Sequence, residues 1–127
     1  MKKTILLVDD EPNLRVLLRH MLETGKFEVV EAEDGLDALD KLKQMTPDLM
    51  ILDVMMPELD GVSLCTQLRA TTRFAKLPIV MLSGKTQYNA VQEGLAAGAN
   101  RYLCKPITVN ELLETVNEVL MEITAVS

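Results

Sequence analysis

An open, doubly wound α/β sheet of five parallel strands is the fold class this sequence predicts, on three observations. Short apolar-rich runs recur at residues 5–8, 27–32, 49–52, 79–82 and 101–104, and amphipathic helical patterns separate them. Continuous apolar runs bounded by turn signals suit strands buried on both faces. Strands alternating with helices imply right-handed crossovers, hence a parallel sheet covered on both sides. Five such units are too few for a barrel, which needs eight, so the sheet stays open.

The elements follow in order. The first run, residues 5–8, ends at Asp9 and Asp10. Pro12 suits the first turn of a helix, where a missing N–H costs nothing. Leu14, Leu17, Leu18, Met21 and Leu22 then keep the spacing of one helical face, and Gly25 stops it. Residues 27–32 form a weaker strand, interrupted by Glu28 and Glu31. Asp34 is placed to cap a helix that turns Ala38, Leu39 and Leu42 inward, and Pro47 and Asp48 close it. The central stretch is Leu49-Met50-Ile51-Leu52-Asp53, an apolar run that meets an aspartate and then a turn segment ending in Asp60-Gly61.

Asp60 is a second candidate N-cap, opening a helix with Val62, Leu64, Cys65 and Leu68. Pro78 leads into the fourth run, which ends at Ser83, and a helix over about 86–97 is stopped by Gly98. The fifth run, 101–104, ends at Lys105-Pro106. Thr108 and Glu111 have capping-box spacing ahead of Leu112, Leu113, Val116, Val119, Leu120 and Ile123. No internal repeat, low-complexity segment or linker divides residues 1–127, so one domain is expected.

Composition narrows the function classes. The formal net charge of −6 argues against a nucleic-acid footprint and against an anionic membrane surface. The amino terminus begins like a signal peptide, but acids arrive after only four apolar residues, too few for an h-region. Nothing approaches a transmembrane span, so a soluble, cytoplasmic protein is expected. Cys65 and Cys104 fit no metal spacing, which makes reduced, buried thiols the expectation. The eight methionines read as core filler. His20, the only histidine, lies off the first helix's apolar face and reads as a solvated surface residue. Arg15, Val16 and Arg19 also lie outside that face, near the acidic edge.

The chemistry collects at the strand ends. Asp9 and Asp10 end the first strand, Asp53 the third, Ser83 the fourth and Lys105 the fifth. In a parallel sheet those ends share one edge, where open α/β sheets bind ligands. Polar residues commonly terminate strands, so each alone has an ordinary structural reading. Together they place three carboxylates, a hydroxyl and an ammonium on one rim. Carboxylates so crowded repel and raise one another's pKa unless a cation lies among them. Lys105 supplies one charge. A hard divalent ion supplies the rest, and Mg2+ is favoured because it takes one or two carboxylates plus phosphate oxygens. Such a set describes a phosphoryl-binding site, and with Asp53 as nucleophile the product is an aspartyl phosphate.

These residues resemble the receiver domain of bacterial two-component response regulators over nearly the whole chain. The motifs that carry the resemblance are Leu7-Val8-Asp9-Asp10-Glu11-Pro12, Leu52-Asp53-Val54-Met55-Met56-Pro57 with Asp60-Gly61, Leu82-Ser83-Gly84, and Tyr102-Leu103-Cys104-Lys105-Pro106. The resemblance is to chemotaxis-regulator-like members and implies a flavodoxin-like sheet of order 2-1-3-4-5. It implies that Asp53 is the phosphoacceptor, taking its phosphoryl group from a sensor histidine kinase or a histidine phosphotransfer protein. It implies Mg2+ on Asp9, Asp10, Asp53 and the backbone carbonyl of Met55. Ser83, Lys105 and the Gly84 backbone amide would bind the phosphoryl group, with Ser83 and Tyr102 as the switch pair and a cis Lys105–Pro106 bond. The active face would be the fourth helix, fifth strand and fifth helix. Kinases of the family dock around the first helix, which makes Val16 a candidate contact.

Two departures bear on behaviour. Ile107 stands where phenylalanine is more usual, a packing difference. Met55 and Lys85 occupy variable positions at which some members carry a carboxylate or amide that orients an attacking water. Neither can do so, and a long-lived phosphoryl group is the expectation. Two other function classes share parts of the pattern. A phosphorylation-independent interaction module would not need the complete chemical set. A metal-dependent phosphatase would carry a second acid two residues after the nucleophile, where Met55 stands. The domain is thus expected to catalyse only its own phosphorylation and dephosphorylation. The partner kinase, the downstream target or output domain, and the choice between monomer and weak homodimer stay open. So does the choice between a stand-alone regulator and a piece of a longer chain.

Overall fold

The computed structural model describes residues 2–84 and 87–126, with side chains up to Glu122. Five strands alternate with five helices: β1 (Thr4–Val8), α1 (Pro12–Thr24), β2 (Glu28–Ala32), α2 (Gly35–Gln44), β3 (Leu49–Asp53), α3 (Gly61–Arg69), β4 (Ile79–Ser83), α4 (Tyr88–Ala96), β5 (Arg101–Cys104) and α5 (Val109–Val126). A 3-10 turn, Thr72–Phe74, lies between α3 and β4. All strand pairs are parallel, and the order is β2-β1-β3-β4-β5, as expected.

That order places a topological switch point between β1 and β3. The chain leaves β1 toward β2 on one side, and everything from β3 onward builds on the other. The loops after β1 and β3 therefore part, leaving a crevice above their carboxyl ends. Every residue of β3 and β4 is buried. Alternation along the strands sends Ile5, Leu7, Leu49, Ile51, Val80 and Leu82 to one layer, with Leu18 and Leu22 of α1 and Leu112, Val116 and Val119 of α5. Leu6, Val8, Met50, Leu52, Ile79 and Met81 face the other layer, with α2 and α3.

The caps form as the sequence indicates. Asp34 accepts from the Asp37 N–H at 2.7 Å and Asp60 from the Ser63 N–H at 2.8 Å. Thr108 and Glu111 make the reciprocal pair of a capping box. Several expectations need correction. Leu17 is 51% exposed, because it sits a helical step of about 100° from Leu18, beyond the stripe that faces the sheet. Cys104 is exposed, at the last position of β5, while Cys65 is buried. The methionines are only partly core: Met50, Met56 and Met81 are buried, but Met55 and Met121 are exposed. The second strand starts at Glu28, one residue later than expected. The fourth helix starts at Tyr88, and the earlier expected start, Thr86, lies outside the described residues, as does the Ile123 side chain. Among the described residues, no helix is long and apolar enough to cross a membrane.

One glycine fixes the distance between the β3–α3 loop and the site. The Gly61 N–H donates to the Val54 carbonyl at 3.0 Å, folding the loop back on the end of β3. A Cβ there would collide with the Asp53 carbonyl and lie 2.8 Å from the Val54 Cα. Both neighbours are backbone and cannot yield cheaply. Gly61→Ala is expected to lower stability by about 2 kcal/mol in urea unfolding, whereas Gly84→Ala, whose Cβ would meet open space, is expected to change it by under about 0.5 kcal/mol.

Candidate phosphoacceptor and metal site

Three aspartates meet at the switch point. Asp9 and Asp10 follow β1 directly and Asp53 closes β3, so parallel pairing of β1 with β3 brings them side by side. Each offers a carboxylate oxygen within 4.8 Å of the others. Asp9 and Asp53 are buried, at 1% and 4% exposure, and Asp10 is exposed. The Lys105 ammonium reaches in from beyond β5, 3.5 Å from Asp53 Oδ1 and 3.6 Å from Asp9 Oδ2. Its backbone N–H donates to the Ser83 carbonyl at 2.8 Å, which ties the lysine's loop to the end of β4.

Few hydrogen bonds satisfy these carboxylates. Asp9 Oδ1 accepts from the Glu11 N–H at 2.9 Å, and Asp53 Oδ1 from the Met55 N–H at 3.3 Å. Among the described residues, Asp9 Oδ2 is buried with no hydrogen-bond partner, leaving the more distant ammonium as its compensation. A buried carboxylate oxygen so placed is costly unless an additional positive centre approaches it. The Asp53 carboxyl is pushed up to about 6, first by burial and next by the charge of Asp9. Lys105 and the Met55 N–H act against that rise, and Asp10 adds to it. Among the described residues, three carboxylates against one ammonium leave a deficit of two positive charges when all are ionised, the charge of a single divalent cation. The donor set is all oxygen, which suits a hard ion such as Mg2+. The residues present fit that group.

The remaining expected site residues gather around the same rim. Ser83 is fully buried at the end of β4, in register with Cys104. Gly84 follows it as an exposed bend. Tyr102 is half-buried on β5, its ring so close to α4 that a Cβ on Gly94 would lie 2.8 Å from it. The Lys105–Pro106 peptide is cis. The Met55 side chain is 56% exposed. Lys85 lies outside the described residues. A groove of about 440 Å3 opens beside Asp10 along Met55, Pro57 and Asp60.

The sequence reading missed one contact set. Arg15, on α1, donates from Nη1 to the Asp9 carbonyl at 2.6 Å and from Nε to Glu31 at 2.8 Å. Arg19 donates to the other oxygen of Glu31 at 2.6 Å. Glu31 had read as an interruption of the second strand. No local spacing joins positions 15 and 31, and only the packing of α1 against β2 makes them neighbours. His20 is a surface residue as expected, 3.9 Å from Glu23.

An acidic, lysine-bearing crevice at the switch point of a five-stranded parallel sheet suits an α/β protein of the phosphate- and metal-handling class. More specifically, the chain belongs to the response regulator receiver domain family, whose model matches residues 5–117. It is 41% identical over 120 residues to the alkaline phosphatase synthesis transcriptional regulatory protein PhoP of Bacillus subtilis strain 168, covering 94% of this chain. The chain spans about half the length of that relative, 49%. Its fold matches the Vibrio cholerae chemotaxis protein CheY4 with a TM-score of 0.88 at 34% identity, covering 94% of this chain and 99% of that one. It also matches the receiver domain of the sensor histidine kinase PA1611 of Pseudomonas aeruginosa PAO1, whose structure has a magnesium ion coordinated in the active-site cleft. That match has a TM-score of 0.87 at 28% identity and covers 94% of this chain and 98% of the other.

The raised Asp53 pKa carries a stability consequence. Its folded value lies above the ordinary 3.8, so the folded state binds the proton more tightly than the unfolded chain. The ionised form is therefore penalised above pH 6, and the penalty fades as pH falls toward the ordinary carboxylate range. Metal-free Asp53→Asn is expected to be more stable than the unaltered protein at pH 8 by about 2 kcal/mol, the gap closing on acidification. Thermal melts across that range measure it, and an Asn variant less stable at pH 8 contradicts the assignment.

Proposed function

We propose that residues 1–127 form one receiver domain acting as a phosphorylation-activated switch of a two-component or phosphorelay system. The observation that carries this reading is the meeting of Asp9, Asp10 and Asp53 within 4.8 Å, with Lys105 beside both buried members. Asp53 is the phosphoacceptor. A carboxylate oxygen of Asp53 bonds to phosphorus as the P–N bond of a phosphohistidine breaks, and the imidazole of the partner leaves. The donor is a sensor histidine kinase or a histidine phosphotransfer protein.

Mg2+ on Asp9, Asp10, Asp53 and the Met55 carbonyl would neutralise charge on the transferring group. Lys105 pairs with the phosphoryl oxygens, while the Ser83 hydroxyl and the Gly84 N–H donate to them. These contacts exist in one conformation and not the other, which is what lets a phosphoryl group shift a two-state equilibrium. Displacement of Ser83 draws Tyr102 inward and alters the face built by α4, β5 and α5. The domain acts on itself and has no separate substrate. Its readout passes to a downstream protein or output domain, as monomer or weak homodimer in the cytoplasm. The acidic balance, −6, fits a domain that does not itself hold nucleic acid.

Incubation with Mg2+ and a small phosphodonor such as acetyl phosphate is expected to label the protein, and Asp53→Asn to abolish the label. Label that persists in the Asn variant defeats the reading. Met55 and Lys85 set the lifetime: with neither able to orient a water, hydrolysis is slow for the family. Met55→Asn combined with Lys85→Glu is expected to speed dephosphorylation severalfold in a radiolabel decay assay. An unchanged rate would show that these side chains do not govern it.

A further inference from the structure

Around the acidic rim, the side chain whose contacts are least explained by packing is Arg15. It is half-buried, with 16% of its side chain exposed, and lies on the first turn and a half of α1. Its guanidinium bridges two elements. Nε donates to Glu31 of β2 at 2.8 Å, and Nη1 to the carbonyl oxygen of Asp9 at 2.6 Å. That carbonyl belongs to the peptide joining the two consecutive acids. Its direction sets where the Asp10 Cα lies relative to the Asp9 carboxylate. The Asp9 side chain is itself pinned on its other flank by the Glu11 N–H at 2.9 Å.

We propose that Arg15, held by Glu31, is a positioning residue that fixes the Asp9–Asp10 peptide so that both carboxylates face one divalent cation. This rests on the metal site argued above. The planar fork of a guanidinium suits the task, since it spans two acceptors in fixed directions. Groups of this kind, which orient ligands without touching the metal, are typically worth tenfold or more in affinity.

Position and charge predict opposite signs, which makes the assignment decidable. Arg15 is a cation within hydrogen-bonding distance of the backbone between two acids. As a charge it repels a divalent ion over a distance too short for salt to screen fully. Its removal would then tighten Mg2+ binding. As a positioning group its removal loosens binding in spite of the cation lost. Arg19 provides an internal control, because it pairs with the same Glu31 at 2.6 Å and, among the described residues, makes no hydrogen bond to Asp9.

Isothermal titration with Mg2+ on the unaltered chain, Arg15→Met, Arg15→Lys and Arg19→Met tests this, with metal-free melts confirming that each is folded. The expected result is a Kd about tenfold weaker for Arg15→Met and also weaker for Arg15→Lys, which keeps the charge but lacks the fork. Arg19→Met stays within about twofold of the unaltered chain. Equal or tighter binding by Arg15→Met overturns the proposal, as does an equal loss in Arg19→Met. If Arg15→Met fails to fold, Arg15→Lys decides alone: an unchanged Kd overturns the proposal. Absence of Mg2+ binding by the unaltered chain sinks the metal site itself, and this proposal with it.

Discussion

Two carboxylates are buried at the carboxyl edge of the sheet with less positive charge than they need. Asp9 and Asp53 are almost inaccessible, and the ammonium they share stands 3.5–3.6 Å from each. Among the described residues, one oxygen of Asp9 has no hydrogen-bond partner. Burying like charges together is unfavourable, and the fold bears that cost through a core built of some thirty buried apolar side chains. The imbalance is what gives the site its chemistry. It suits the rim to a divalent cation, whose charge in the proposed reaction would offset the repulsion between these carboxylates and an anionic phosphoryl group.

The fold supplies this by topology. Parallel strands bring all five carboxyl ends to one edge, and the reversal of strand order between β1 and β3 opens the crevice there. Near the edge, the loops are held by specific short contacts. Gly61 lets the β3–α3 loop fold against the Asp53 carbonyl, the Lys105 N–H is tied to Ser83, and Arg15 holds the peptide after Asp9. At the opposite edge, Arg69 binds the carbonyls of Gly98 and Phe74, and Asn100 accepts from the Ile79 N–H at 2.8 Å. Those contacts set the start of β4, leaving its other end, Ser83, to face the crevice.

Much of this was legible in the sequence, for a physical reason. Strands buried on both faces must be apolar throughout, so β3 and β4 announced themselves, and the polar residues ending them, Asp53 and Ser83, stood out against that background. Asp34, Asp60 and Thr108 were readable as caps because a cap is a local bond over three residues. What failed depended on rotation or on packing between elements. Leu17 keeps helical spacing with its neighbours but points past the edge of the stripe, and spacing alone does not say where a stripe is centred. Cys104 was expected inside, yet it ends β5, at the outer edge of the sheet, where a residue need not be covered. The Arg15–Glu31 pair joins positions sixteen residues apart through the packing of α1 on β2, and no pattern within either segment marks it.

The charge deficit at the rim is tested most directly by the thermal stability of the metal-free chain against Mg2+ concentration at pH 7.5. Ionic strength is held constant with NaCl. A cation that binds only the folded state raises stability by RT ln(1 + [Mg2+]/Kd), so the melting temperature is expected to climb with Mg2+ and not with NaCl alone. The climb should vanish in Asp10→Asn with Asp53→Asn. Melting temperatures that respond equally to both salts, or a climb that survives loss of both acids, would contradict it.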